Sequence, residues 1–173
     1  MKAAFFSIFL VSVIATGNKL TIISKKNIKV PEPSDIKYDE ARNSYWTVSD
    51  NGFLYECNTD GNVIQEASFK GVDFEAVETV GDDVYVINET YRKVHVFNKA
   101  DLKLKQTILL NYNGGRNKGF ESLAYNPTTK QFITLTEKDP VFLREYDQNF
   151  NLQHERQLKI ARDISSAAWY NNC

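Results

Sequence analysis

Ser34-Asp35-Ile36-Lys37-Tyr38, Glu75-Ala76-Val77-Glu78-Thr79 and Glu121-Ser122-Leu123-Ala124-Tyr125 are three spellings of one unit. A small or acidic residue opens each, and an apolar step follows. A fourth spelling starts at Ser165-Ser166-Ala167-Ala168-Trp169. Their central residues Ile36, Val77, Leu123 and Ala167 stand 41, 46 and 44 positions apart. A period in the forties filled with short strands predicts an all-β fold, a β-propeller with one four-stranded antiparallel blade per repeat.

Working outward from the first unit, Ser34–Asp39 alternates as a strand, and Ala41-Arg42-Asn43 turns it into Tyr45–Ser49. Asp50-Asn51-Gly52 then predicts a tight hairpin, because Asn-Gly tolerates the positive φ of a type I′ turn. Phe53–Asn58, the Asp60-Gly61 turn and Val63–Phe69 complete the blade. The second repeat reads Phe74–Val80, Val84–Asn88, Val94–Asn98 and Leu104–Leu110. Val84, Val86, Val94 and Val96 alternate with period two. The third reads Glu121–Tyr125, Gln131–Thr136, Val141–Tyr146 and Leu152–Leu158, reached through a turn-rich link over 111–118. Blades are thus expected over 32–71, 72–117 and 118–161, with the start of another over 162–173. Leu20–Val30 reads as a strand that closes the ring by joining the last blade. A propeller needs at least four blades, so the 173 residues are expected to be a truncated part of a five-bladed ring, an open arc with unpaired edges.

The aromatic content (Phe 11, Tyr 9, Trp 2) suits strands. With a net charge of −1 and no basic run, the chain lacks the cationic surface that phosphate neutralisation requires, which excludes nucleic acid as a partner. Met1-Lys2 precedes an apolar run over Ala3–Ala15 that ends in Ala15-Thr16-Gly17. That run is shorter than the ~20 residues of a membrane span, so residues 1–17 read as a signal peptide. Membrane attachment would arise only if it stayed uncleaved. The chain from 18 to 173 is therefore expected outside the cytoplasm, in the periplasm, at the cell surface or secreted. Cys57 and Cys173 form no CxxC pair and are read as unpaired thiols.

First strands line a propeller's channel, and the turn between second and third strands returns to the rim where the first strand began. Glu75 and Glu121 open their strands, while Asp50, Glu89 and Glu137 occupy returning turns. These five carboxylates are expected around one channel mouth. Facing carboxylates repel unless a cation or basic group sits among them; oxygen ligands without His or Cys favour a hard ion, and Ca2+ suits a loosely spaced ring better than Mg2+. Asp, Asn and Gly are ordinary turn residues, whereas a turn has no need of Glu, so Glu75 and Glu121 carry most of the inference. His95 and His154 read as exposed or half-buried strand residues. No Gly-x-Ser-x-Gly elbow supports a serine hydrolase. Asn88-Glu89-Thr90 fits a glycosylation sequon.

At these positions the chain resembles the SdiA-regulated family. The resemblance rests on Glu32-Pro33-Ser34-Asp35-Ile36, Val48-Ser49-Asp50, Phe74-Glu75-Ala76-Val77, Lys118-Gly119-Phe120-Glu121-Ser122-Leu123-Ala124-Tyr125, Thr136-Glu137-Lys138-Asp139-Pro140 and Asp163-Ile164-Ser165-Ser166-Ala167. It implies an exported bacterial five-bladed propeller with a calcium site, distantly similar to NHL-repeat propellers, and brings no activity with it. Where the family pattern has Gly, this chain has Asp35, Ala76, Ser122 and Ser166, whose side chains are expected to narrow the mouth. Two functions follow. One is a non-catalytic, Ca2+-organised binding module for a small-molecule, glycan or protein ligand at the channel. The other is a metal-dependent hydrolase of lactones, esters or phosphoesters, in which Glu75 or Glu121 holds the metal and Asp50 or Glu137 activates water.

Overall fold

A computed structural model of the chain describes residues 22, 25–113, 118–138, 140–159 and 164–170. Its twelve strands form three antiparallel sheets of four, each in simple chain order. The first blade holds β1 (Pro33–Asp39), β2 (Ser44–Ser49), β3 (Phe53–Asn58) and β4 (Val63–Glu66). The second holds β5 (Phe74–Val80), β6 (Asp83–Asn88), β7 (Lys93–Asn98) and β8 (Leu104–Leu109). The third holds β9 (Phe120–Asn126), β10 (Gln131–Thr136), β11 (Val141–Tyr146) and β12 (Leu152–Leu158). β1 adjoins β5 and β5 adjoins β9, so the first strands are the inner ones of an open, partial propeller.

Tight turns shape each blade. Gly52 and Gly61 both sit at φ +82°, the left-handed region that glycine enters without a Cβ penalty. The turns preceding the outermost strands of the second and third blades place Leu102 (φ 52°) and Phe150 (φ 61°) there instead. Bulky residues resist that conformation. Both side chains are buried, which offsets the strain by locking them into the packing between blades.

Those seams are the core. Trp46, Val48 and Leu54 of the first blade meet Phe74, Val77, Val84, Val86 and Phe97 of the second. Ala76, Ile87, Val94 and Val96 then meet Leu123, Phe132, Tyr146 and Phe150 of the third. Polar clips cross the same seams. Asp35 accepts from its neighbour Ile36 N (2.8 Å) and across the seam from Val77 N (2.9 Å). Glu78 repeats the device with Thr79 N (2.8 Å) and Tyr125 N (3.2 Å), and it also pairs with Lys37 at 2.6 Å. At the far end, Asp39 accepts from Trp46 Nε1 (3.1 Å) and pairs with Lys99 of the second blade at 2.8 Å. Asp35→Ala should cost about 1–3 kcal/mol, since Val77 N would be left buried without an acceptor. Urea unfolding checks this, with Asp35→Asn retaining an acceptor and most of the stability.

The strand expected over 20–30 is absent from its described residues, 22 and 25–30. This segment instead runs beside the first blade: Lys29 N donates to Gly61 O at 3.1 Å, and Val30 packs with Tyr55 and Cys57. The fourth strand expected over Val63–Phe69 ends at Glu66, because Phe69 leaves the sheet to enter the seam. The fourth repeat, described over 164–170, forms no strand there. Residues 1–17 and Cys173 lie outside the described residues, while Cys57 is a buried free thiol whose pKa burial pushes up.

Candidate metal centre

At one rim the backbone itself stitches the blades together. Asp50 N donates to Glu32 O (3.1 Å), and Asp73 N to Asp50 O (3.1 Å). Glu89 N follows to Asp73 O (3.0 Å), Glu137 N to Gly119 O (3.1 Å), and Ile164 N to Glu137 O (3.0 Å). Between the second and third blades, Gly119 N donates to the Glu89 side chain instead, at 2.8 Å. The belt therefore alternates between the entry of a first strand and the turn joining second and third strands. It holds both sets of predicted carboxylates on one face. Ile164 joins the fourth repeat to the same belt.

Two triads result. Carboxylate oxygens of Asp50, Asp73 and Glu75 lie within 4.8 Å of one another at the first seam, and those of Glu89, Glu121 and Glu137 do so at the second. All five residues expected at the mouth are thus brought together in two groups. Asp73 was not anticipated. It stands just before a strand, at φ 58°, and reads in sequence as an ordinary loop residue. Its Oδ2 accepts from Thr90 Oγ1 at 2.5 Å, which fixes the carboxylate. The place that Asp73 holds in its repeat is taken in the next by Gly119. A Cβ on Gly119 would lie 2.4 Å from Glu89 Cγ and 2.9 Å from Glu89 O, so glycine there is a condition for Glu89 crossing the seam.

Packing acids together raises their pKa values. Burial, then Glu121, Asp73 and Asp50, push Glu75 up to about 9. Burial, then Glu89, Glu137 and Asp73, push Glu121 up to about 7, with Lys138 opposing. Glu89 is raised by burial against the lowering bond from Gly119 N. A raised carboxyl favours the fold below its unfolded pKa, and that contribution is lost as pH rises toward the folded value. Near neutrality the metal-free rim therefore retains protons that offset its repulsion, and a divalent cation would take their place. The donor set is all oxygen, from carboxylates spaced to converge, and fits a hard ion.

Three of the four side chains expected to narrow the mouth are engaged within the sheets instead, while Ser166 is exposed and lies in no strand. Asp35 clips the seam, Ala76 is fully buried, and Ser122 Oγ accepts from Leu135 N at 3.0 Å where the β9–β10 register shifts. His95, expected to be at least half exposed, is buried at 4% exposure. The rings of Phe69, Phe74 and Phe97 surround it, and its Nδ1 meets Thr107 Oγ1 at 3.0 Å. His154 is exposed on β12. The sequon's Asn88 is buried, with its Oδ1 accepting from Tyr91 N, so it presents no free amide for glycosylation.

The fold is similar to a solved structure, the WD40 β-propeller domain of Doa1, with a TM-score of 0.59 and 14% identity. The match covers 78% of this chain and 43% of that one, so the chain spans less than half of its length. Such identity speaks for the fold alone. A family model described as SdiA-regulated matches residues 12–171, nearly the whole chain, and on that match the protein belongs to the SdiA-regulated family.

Proposed function

We propose that this chain is an exported, non-catalytic binding propeller whose channel mouth is organised by Ca2+, with Asp50, Asp73, Glu75, Glu89, Glu121 and Glu137 as the ligand set. The observation that carries the reading is the pair of carboxylate triads, each converging within 4.8 Å across a seam between blades. A bound ion would relieve their repulsion and tie neighbouring blades, leaving the channel to receive a small molecule, a glycan or a protein segment. Periplasmic, surface or secreted placement rests on the leader-like residues 1–17. No helix among the described residues is long and apolar enough to cross a membrane.

Thermal melting of metal-free protein tests the ion. Free Ca2+ at ~100-fold above its Kd should stabilise the fold by about 2.7 kcal/mol, a rise of about 5–10 °C in the midpoint. An unchanged midpoint at millimolar Ca2+ sinks the reading. The hydrolytic alternative would need a base outside the ion's grasp, and the carboxyl pKa values raised at the rim would fall once a cation bound. His95 is caged in the seam and His154 lies on an outer strand, so neither supplies that base. Turnover of a lactone, ester or phosphoester panel that Glu121→Gln abolishes would favour hydrolysis over binding.

A further inference from the structure

Asn51 occupies a place in the first rim turn that the fold leaves open to unrelated side chains. The residue after the turn acid is Asn51 in the first repeat, Thr90 in the second and Lys138 in the third. Its neighbour Gly52 has no such freedom. Gly52 stands at φ +82°, and a Cβ there would fall 2.3 Å from Gly71 O, so neither the turn nor the approach of Gly71 tolerates a side chain. The seam thus fixes the glycine of an exposed Asn-Gly pair. Asn51 is solvent-exposed, and among the described residues no group bonds its carboxamide.

We propose that Asn51 is a self-modification site, which deamidates through Gly52 and adds a negative charge to the rim. Glycine lacks the side chain that would crowd the attack. The Gly52 nitrogen gives its proton to water and bonds Asn51 Cγ; the carboxamide C–N bond breaks, and ammonia leaves. Water then opens the cyclic imide at either carbonyl, leaving aspartate or isoaspartate at position 51. Nothing is oxidised or reduced, and water is the only other reactant. The closed turn is the brake. Gly52 N donates to Ser49 O at 2.8 Å and Asn51 N to Ser49 Oγ at 3.3 Å, so the attacking nitrogen is occupied while the hairpin holds. Freeing it costs one hydrogen bond, a factor of about ten in rate. Exposed turns open locally at little cost, so the reaction proceeds in the folded chain at that reduced pace. The new charge stands beside Asp50 with or without an ion at the rim. Isoaspartate also lengthens the main chain before Gly52, whose carbonyl accepts from Gly71 N at 2.8 Å.

Peptide mapping by mass spectrometry tests this on the full chain, incubated at mildly alkaline pH both folded and in urea. The peptide holding position 51 should gain the mass of an acid in place of an amide, and anion exchange should resolve a more acidic form. Conversion in the folded chain should run about tenfold slower than in urea. Asn51→Thr, with the residue that the second repeat carries there, should give no acidic product in this peptide. Asn51→Asp should elute with part of the aged wild type. Asn113-Gly114 is another such pair, and mapping keeps its product apart. Circular dichroism checks that both variants fold. No product at position 51 in the folded chain, over a time in which the urea-treated chain converts, would overturn the site. Equal rates in the two would overturn the brake, and an acidic product persisting in the same peptide of Asn51→Thr would place the chemistry at another residue.

Discussion

Replacing Phe74 with alanine is expected to cost about 3–5 kcal/mol, the range for deleting a fully buried aromatic ring. Phe74 is 0% exposed and packs between the first two blades against His95. It also stands between Asp73 and Glu75, two of the three acids of the first triad. Its removal opens a cavity in the seam and frees the backbone that aims both carboxylates. Urea unfolding should show the loss, and the Ca2+-dependent rise in melting temperature should shrink with it. Gly71 offers an internal check. A Cβ on Gly71 would fall 2.3 Å from Phe74 Cε1, so Gly71→Ala is costly while the ring is present. Once the ring is gone the clash is gone too. The two substitutions together should therefore cost well below the sum of their separate effects. A loss under 1 kcal/mol for Phe74→Ala, or simple additivity, would show that the seam does not depend on this ring.

Acid should weaken the protein through His95. Burial first, and Lys93 second, hold its pKa down to about 4 from the usual 6.5. The unfolded chain takes up that proton more readily than the fold does. Above pH 6.5 neither state is protonated and His95 contributes nothing to pH dependence. Below it stability declines, and the decline levels off near pH 4. Between pH 7.5 and 4.5 the loss should be about 2.5 kcal/mol from this group. His95→Phe keeps a ring among Phe69, Phe74 and Phe97 and removes the proton site. The difference in unfolding free energy between wild type and His95→Phe should therefore change by that amount across the interval, since other titrating groups are common to both. Parallel pH profiles would show that the cage accepts an imidazolium.

Much of the fold was legible because strand alternation and turn chemistry act locally. Asn51-Gly52 and Asp60-Gly61 announce their turns, and the predicted limits of Phe74–Val80, Gln131–Thr136, Val141–Tyr146 and Leu152–Leu158 match the strands observed. The rim was legible too, since repeat geometry alone puts Glu75 and Glu121 near Asp50, Glu89 and Glu137. What escaped depends on seams between blades, which no local pattern encodes. Phe69 continues an apolar alternation, yet it turns away to meet His95. Asp73 has the look of a turn residue until Thr90, seventeen positions on, fixes it. Glu56 sits unremarked in a strand, but it is buried and receives both Arg42 (2.8 and 2.9 Å) and Ser44 (2.7 Å). Leu102 and Phe150 defy the glycine rule at their turns because burial between blades outweighs their backbone preference.

The backbone belt at the rim has a consequence for how such molecules change. Nearly every joint in it runs from amide to carbonyl, and the exception also begins at an amide, that of Gly119. Amides and carbonyls are the same in every residue, so a module could be duplicated, lost or exchanged without redesigning its attachment to its neighbours. Selection is then free to rewrite the charged ornaments of the rim one module at a time, as Asn51, Thr90 and Lys138 already differ at a shared place.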